Sequence, residues 1–159
     1  MKSAVVYYSL EGNTDYAAQR ISEAIGADLV RLRPVKAYPN GRLRKFLWGG
    51  KSAVMAETPK LEPYEFDAAA YDLVVLGFPV WAGNVAPPIR TFLKEHDLSQ
   101  KRVAAFACQS GNGAEKAFSK LEECMPEQTL AATLILIDPK ARPSEENNNK
   151  IATFCAGLQ

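Results

Sequence analysis

Three short stretches of this sequence combine small polar residues, glycines and one aromatic ring in patterns that suit ligand binding. The first is Ser9, Leu10, Glu11, Gly12, Asn13 and Thr14, between an apolar run at 4–8 and an alanine-rich amphipathic stretch. Ser9 and Thr14 offer hydroxyl donors, Asn13 offers an amide donor, and Gly12 lets the backbone come close to a ligand. Backbone N–H groups at the start of a following helix point outward with its positive dipole end. Such a loop can hold a phosphate monoester without lysine or arginine. The same layout also fits an ordinary helix-capping turn, with Asn13 or Thr14 as the cap.

The second stretch, Pro79, Val80, Trp81, Ala82, Gly83 and Asn84, places a tryptophan in a loop after a strongly apolar run. A tryptophan facing only water there is costly. Trp81 either packs against a neighbouring loop or gives a planar ligand a face to stack on. The third stretch is Gln109, Ser110, Gly111, Asn112 and Gly113. Its glycines allow close backbone approach, and its amides and hydroxyl can hydrogen-bond the edge of a heterocycle. Together they describe a site for a nucleotide with a flat ring system.

These stretches need a scaffold that brings them to one edge. Apolar runs at 3–8, 28–32, 71–77, 101–108 and 129–137 predict five strands, the third being "YDLVVLG". Helical patterns at 15–25, 87–95, 114–124 and 144–156 alternate with them. Pro87 and Pro88 suit a first helical turn, and Ser144 with Glu145 and Glu146 suits a cap. Alternation of this kind predicts a mostly parallel, doubly wound α/β sheet covered by helices on both faces. Right-handed crossovers leave few topologies for five strands. Ligands of such sheets bind beyond the carboxyl ends of the strands, where the strand order switches. All three stretches follow predicted strands and fall at that edge. One domain is expected over 1–159, with an irregular insertion at 34–70. The insertion carries Arg42, Arg44, Lys45 and Lys51, and a helix broken at Gly49-Gly50 is compatible with its pattern.

The 159 residues are 47% hydrophobic, enough for one sizeable core, and 19 basic against 18 acidic residues leave a formal charge of +1. That balance gives no reason to expect a nucleic acid or a membrane surface as partner. No apolar stretch approaches the length of a spanning helix, and no secretory signal is expected. Cys108, Cys124 and Cys155 match neither a disulfide framework nor a metal site. A single histidine, His96, makes a catalytic triad or a histidine-rich metal centre hard to assemble, and it is expected at a helix C-terminus. Cys108 is expected as a buried structural thiol. A cytoplasmic protein is the simplest reading.

The first stretch, "YYSLEGNT", resembles the phosphate loop of flavodoxins, usually written [ST]-x-[ST]-G-N-T, and "YDLVVLGFPVWAGNVAPPIRTFL" is similar to their third strand and ring-binding region. The resemblance covers nearly the whole chain. It implies a short-chain flavodoxin-like fold with strand order 2-1-3-4-5 and flavin mononucleotide (FMN) at the switch point. It also implies that residues 9–14 wrap the phosphate, that residues 79–84 lie against the isoalloxazine with Trp81 stacked on it, and that residues 109–113 meet its pyrimidine edge. The chain departs from the pattern at Glu11, where a hydroxyl residue is usual. It has no tyrosine in the third loop, so the second flavin face is open or covered by an aromatic such as Trp48. Its insertion is also longer and more basic than in simple flavodoxins.

The expected function is electron transfer by an FMN-binding carrier that shuttles electrons between a reductase and an acceptor. The alternative is an NAD(P)H-dependent reductase acting on quinone-like small acceptors. A receiver domain of the same topology would need acidic residues where Ser9 and Phe78 stand. The second and third stretches carry no Asp or Glu, which predicts a reduction potential less negative than in acidic flavodoxins.

Overall fold

The computed structural model describes residues 1–38 and 57–159. Arg42, Arg44, Lys45, Lys51, Trp48 and the helix expected around Gly49-Gly50 lie outside these. Five parallel strands form one sheet: β1 (Ser3–Tyr7), β2 (Asp28–Arg31), β3 (Leu73–Pro79), β4 (Arg102–Gln109) and β5 (Thr133–Ile137). Their order is β2-β1-β3-β4-β5, as the resemblance implies. The connecting helices are α1 (Asn13–Ile25), α2 (Pro87–Glu95), α3 (Ala114–Glu123) and α4 (Glu145–Leu158), with a short 3-10 turn at Ala68–Ala70.

Side-chain alternation along the strands builds two cores. On one face Val74, Leu76 and Phe78 of β3 meet Ile89 and Phe92 of α2 and Phe118 and Leu121 of α3. On the other face Leu73 and Val75 meet Ala17 and Ile21 of α1 and Ile151, Phe154 and Leu158 of α4. Both faces of the central strands are therefore apolar, which is why they read as continuous hydrophobic runs in the sequence. Burial of each large apolar side chain contributes roughly 1.5–3 kcal/mol.

The register aligns the carboxyl ends of the strands. Tyr7 pairs with Gly77, Gly77 with Phe106, and Phe106 with Leu134. The loops after β1, β3, β4 and β5 therefore leave the sheet at one edge, and the order reverses between β1 and β3.

Element ends differ from expectation by a few residues, for local reasons. α1 begins two residues early because Gly12, at φ 103°, turns the chain into the helix. β5 begins at Thr133 rather than at 129. Ahead of it only Ala131 N–H and Ala132 C=O bond to β4, at Val103 and Ala105. Pro87 and Pro88 do open α2, and the Ser144 hydroxyl does cap α4 by accepting the Asn147 N–H at 3.1 Å. In the insertion, Pro34 and Leu61 form an antiparallel bridge. No helix among the described residues is long and apolar enough to cross a membrane.

Candidate cofactor site

The loop after β1 is fixed from beneath and open above. Arg31 of β2 donates to the Asp15 carboxylate and to the Ser9 carbonyl, each at 3.4 Å. The Tyr7 hydroxyl donates to the same carboxylate. Burial, reinforced by the bond to Asp15, holds the Tyr7 phenol above its ordinary range, so it stays a donor. Asp15 sits in the first turn of α1, where a negative charge complements the dipole. Ser9 is buried, and its Oγ accepts the Gly12 N–H at 3.2 Å. No side chain caps α1, so the capping-turn reading of Asn13 or Thr14 does not describe this loop. The result is a helix N-terminus with a hydroxyl on either side, and that chemistry suits an anion.

Asn13 also ties two loops together. Its Oδ1 accepts the N–H groups of Lys140 and Ala141 at 2.9 and 3.1 Å, joining the first loop to the loop after β5.

The second and third loops meet across the opening. Ala82 and Gly83 both have positive φ, 51° and 67°, which folds residues 81–84 into a tight turn in which Trp81 C=O accepts the Asn84 N–H at 3.0 Å. Gly113, at φ 104°, opens α3, and a Cβ placed on it would stand 3.1 Å from the Gly83 Cα. Glycine is required there by both conformation and space. The Gln109 Oε1 accepts the Ala114 N–H at 3.0 Å, leaving its NH2 group as donor. The Ser110 hydroxyl donates to Asp138 Oδ1 at 2.7 Å.

The Trp81 ring is only 6% exposed and packs edge-on against Tyr8 and Tyr38, with centroids 5.7 and 5.3 Å away. The residue also borders the cavity described below. Asn84 is buried and accepts from Arg90 at 3.3 Å.

Fifteen of the seventeen residues picked out by sequence line one cavity of about 720 Å³; Gly12 and Asn84 do not. Cys108, Lys116 and Asp138 line it as well; the end-of-strand position of Cys108 already put it beside this edge, whereas sequence reasoning did not place Lys116 or Asp138 there. Cys108 is buried, and desolvation pushes its thiol up to about 12, so it is a neutral SH. Asp138 follows β5 directly with φ 42°, a left-handed conformation that aspartate tolerates. A signal for it existed, because the loop after the fifth strand reaches the same edge. Lys116 comes from the first turn of α3, one turn past the third loop. Among the described residues no cluster of His, Cys, Asp and Glu is arranged to hold a metal ion.

A phosphate-sized anion position at α1, a cavity large enough for a small cofactor, and amide and hydroxyl groups at its far wall fit a nucleotide with a flat ring. A flavoprotein of Lactobacillus acidophilus, solved in complex with FMN, is 23% identical, with a TM-score of 0.72 over 87% of this chain and 93% of that one. A structure from Bacteroides uniformis, assigned to the flavoproteins, is 27% identical, with a TM-score of 0.75 over 86% and 90%. A flavodoxin from the domain Archaea has the same fold at 16% identity, with a TM-score of 0.62 over 98% and 94%. The flavodoxin family model matches residues 2–150, which include all five strands and every loop around the cavity. The chain belongs to the flavodoxin family.

Proposed function

We propose that this flavodoxin holds FMN in the cavity and carries electrons between a reductase and an acceptor. One observation carries the reading: loops as far apart in sequence as those of Ser9 and Asp138 line a single cavity at the switch point of the sheet. Bound FMN supplies the redox chemistry, and the protein supplies binding, orientation and electrostatics. The α1 N-terminus with Ser9 and Thr14 receives the phosphate. Residues 79–83 flank the ring, and the Gln109 amide with the backbone of 110–113 meets its edge. Electron exchange at a ring edge needs no separate substrate pocket.

The reductase reading has one observation in its favour. The third loop supplies no aromatic side chain to the cavity, and Gly111 is open on its side-chain face. That leaves room for a small acceptor.

Absorbance of the purified protein, followed by stopped-flow mixing with NADPH, tests both. Flavin bands with slow bleaching by NADPH alone support the carrier, and rapid bleaching supports the reductase. A protein that takes up no FMN from solution overturns both.

A further inference from the structure

The phosphate cradle, residues 9–14, contains no Lys or Arg of its own and includes Glu11, so a cation brought from another loop would strengthen its hold on a dianion. The loop after β5 reaches it. Its two consecutive N–H groups, from Lys140 and Ala141, converge on the Asn13 Oδ1 at 2.9 and 3.1 Å. The same docking lays the Lys140 side chain over Gly12. A Cβ on Gly12 would stand 3.0 Å from Lys140 Nζ and 3.2 Å from its Cδ. Gly12 therefore provides the left-handed turn into α1 and the space in which the lysine lies. Arg142, from the same loop, is directed instead toward Asp138, at 3.7 Å.

We propose that Lys140 supplies the countercharge for the cofactor phosphate and that Asn13 is the residue that positions it. The proposal rests on the FMN reading above and extends it with a fourth loop. Asn13 then acts through its Oδ1, holding the lysine-bearing loop against the cradle. Because Lys140 is solvent-exposed, its attraction to a dianion is moderate and screened by salt.

Calorimetric titration of the apoprotein with FMN and with riboflavin, at low and high salt, tests this. Lys140→Gln is expected to weaken FMN binding about tenfold at low salt, to flatten its salt dependence and to leave riboflavin unchanged. Lys140→Arg should restore most of the loss. In an Asn13→Ala background the Lys140→Gln change should cost much less, because the lysine is no longer held. Unchanged FMN affinity in Lys140→Gln, or equal losses for both ligands, overturns the countercharge. Undiminished cost in the Asn13→Ala background overturns the positioning role. A wild-type protein that binds neither ligand overturns the cofactor reading itself, and this proposal with it.

Discussion

Asp138 Oδ1 accepts the Ser110 hydroxyl at 2.7 Å, which ties the first residue beyond β5 to the loop that follows β4. The bond sets a carboxylate, only 7% exposed, into the wall of the cavity. The expectation of a potential less negative than that of acidic flavodoxins rested on two loops free of Asp and Glu. The fold returns one carboxylate to that site, partly balanced by Arg142 at 3.7 Å.

Asp138→Asn should therefore raise the potential for full reduction of the bound flavin, whose reduced form is an anion near neutral pH. Two like charges about 8 Å apart at an effective dielectric near 20 repel by roughly 2 kcal/mol. At 59 mV per tenfold for one electron, that is at most about 0.1 V. Spectroelectrochemical titration of wild type and variant reads the shift directly. An unchanged potential would mean that the carboxylate does not sense the ring.

Thr14 is 1% exposed and lines the cavity together with the buried Cys108. Because burial keeps that thiol neutral, no thiolate competes with a phosphate at this place. Thr14→Ala should weaken FMN binding by on the order of 1.5–3 kcal/mol, a charge-assisted hydrogen bond, and affect riboflavin far less. Thr14→Ser should recover most of the affinity. Equal losses for FMN and riboflavin in Thr14→Ala would remove the phosphate from this loop.

The sheet was legible because its signal is periodic and local: buried strands such as Leu73–Pro79 are apolar throughout, and prolines and Ser144 mark helix starts. Strand order was legible only through the resemblance, since pattern alone leaves several topologies open. Fifteen cavity-lining positions were legible because small polar residues and glycines interrupt an apolar run there. Lys116, Asp138 and Lys140 were not. Each is an ordinary surface type in sequence; the fold brings Lys116 and Asp138 into the cavity wall and lays Lys140 over Gly12. Asn13 was read as an amide donor to a ligand; that its oxygen also accepts from residues 127 and 128 positions away was not legible. No local pattern encodes a contact at that separation.

His96 links stability to pH. Its ring packs against Phe66 and Phe92, with centroids 4.9 and 4.7 Å away, and its Nε2 lies 2.8 Å from the Tyr64 hydroxyl. Burial lowers its pKa from the ordinary value, and Glu95 opposes the shift only in part. A histidine with a depressed folded pKa binds fewer protons than in the unfolded chain. Its contribution is fully present above the unfolded value of about 6.5 and is lost as pH falls through the folded one. The urea midpoint should therefore drop between about pH 8 and about pH 5.5, and His96→Gln should reduce that drop. Equal drops in both proteins would assign the pH dependence elsewhere.

Trp81 has two contributions that one substitution can separate. Its ring fills the space between Tyr8 and Tyr38 at 6% exposure, so Trp81→Ala leaves a cavity and should cost roughly 3–5 kcal/mol of folding stability. The same residue borders the cofactor cavity at the turn made by Ala82 and Gly83. If its ring also contacts the isoalloxazine, the substitution should weaken FMN and riboflavin alike, because both carry the ring system. Trp81→Phe should keep much of the packing and part of the ring contact, and so fall between wild type and alanine on both measures. Chemical denaturation of the apoprotein gives the packing contribution, and titration with each flavin gives the ligand contribution. A Trp81→Ala protein that is destabilised but binds riboflavin with wild-type affinity would show that the tryptophan holds the loop and does not touch the ring. Equal weakening of both flavins, beyond what Trp81→Phe loses, would put the indole in contact with the ring.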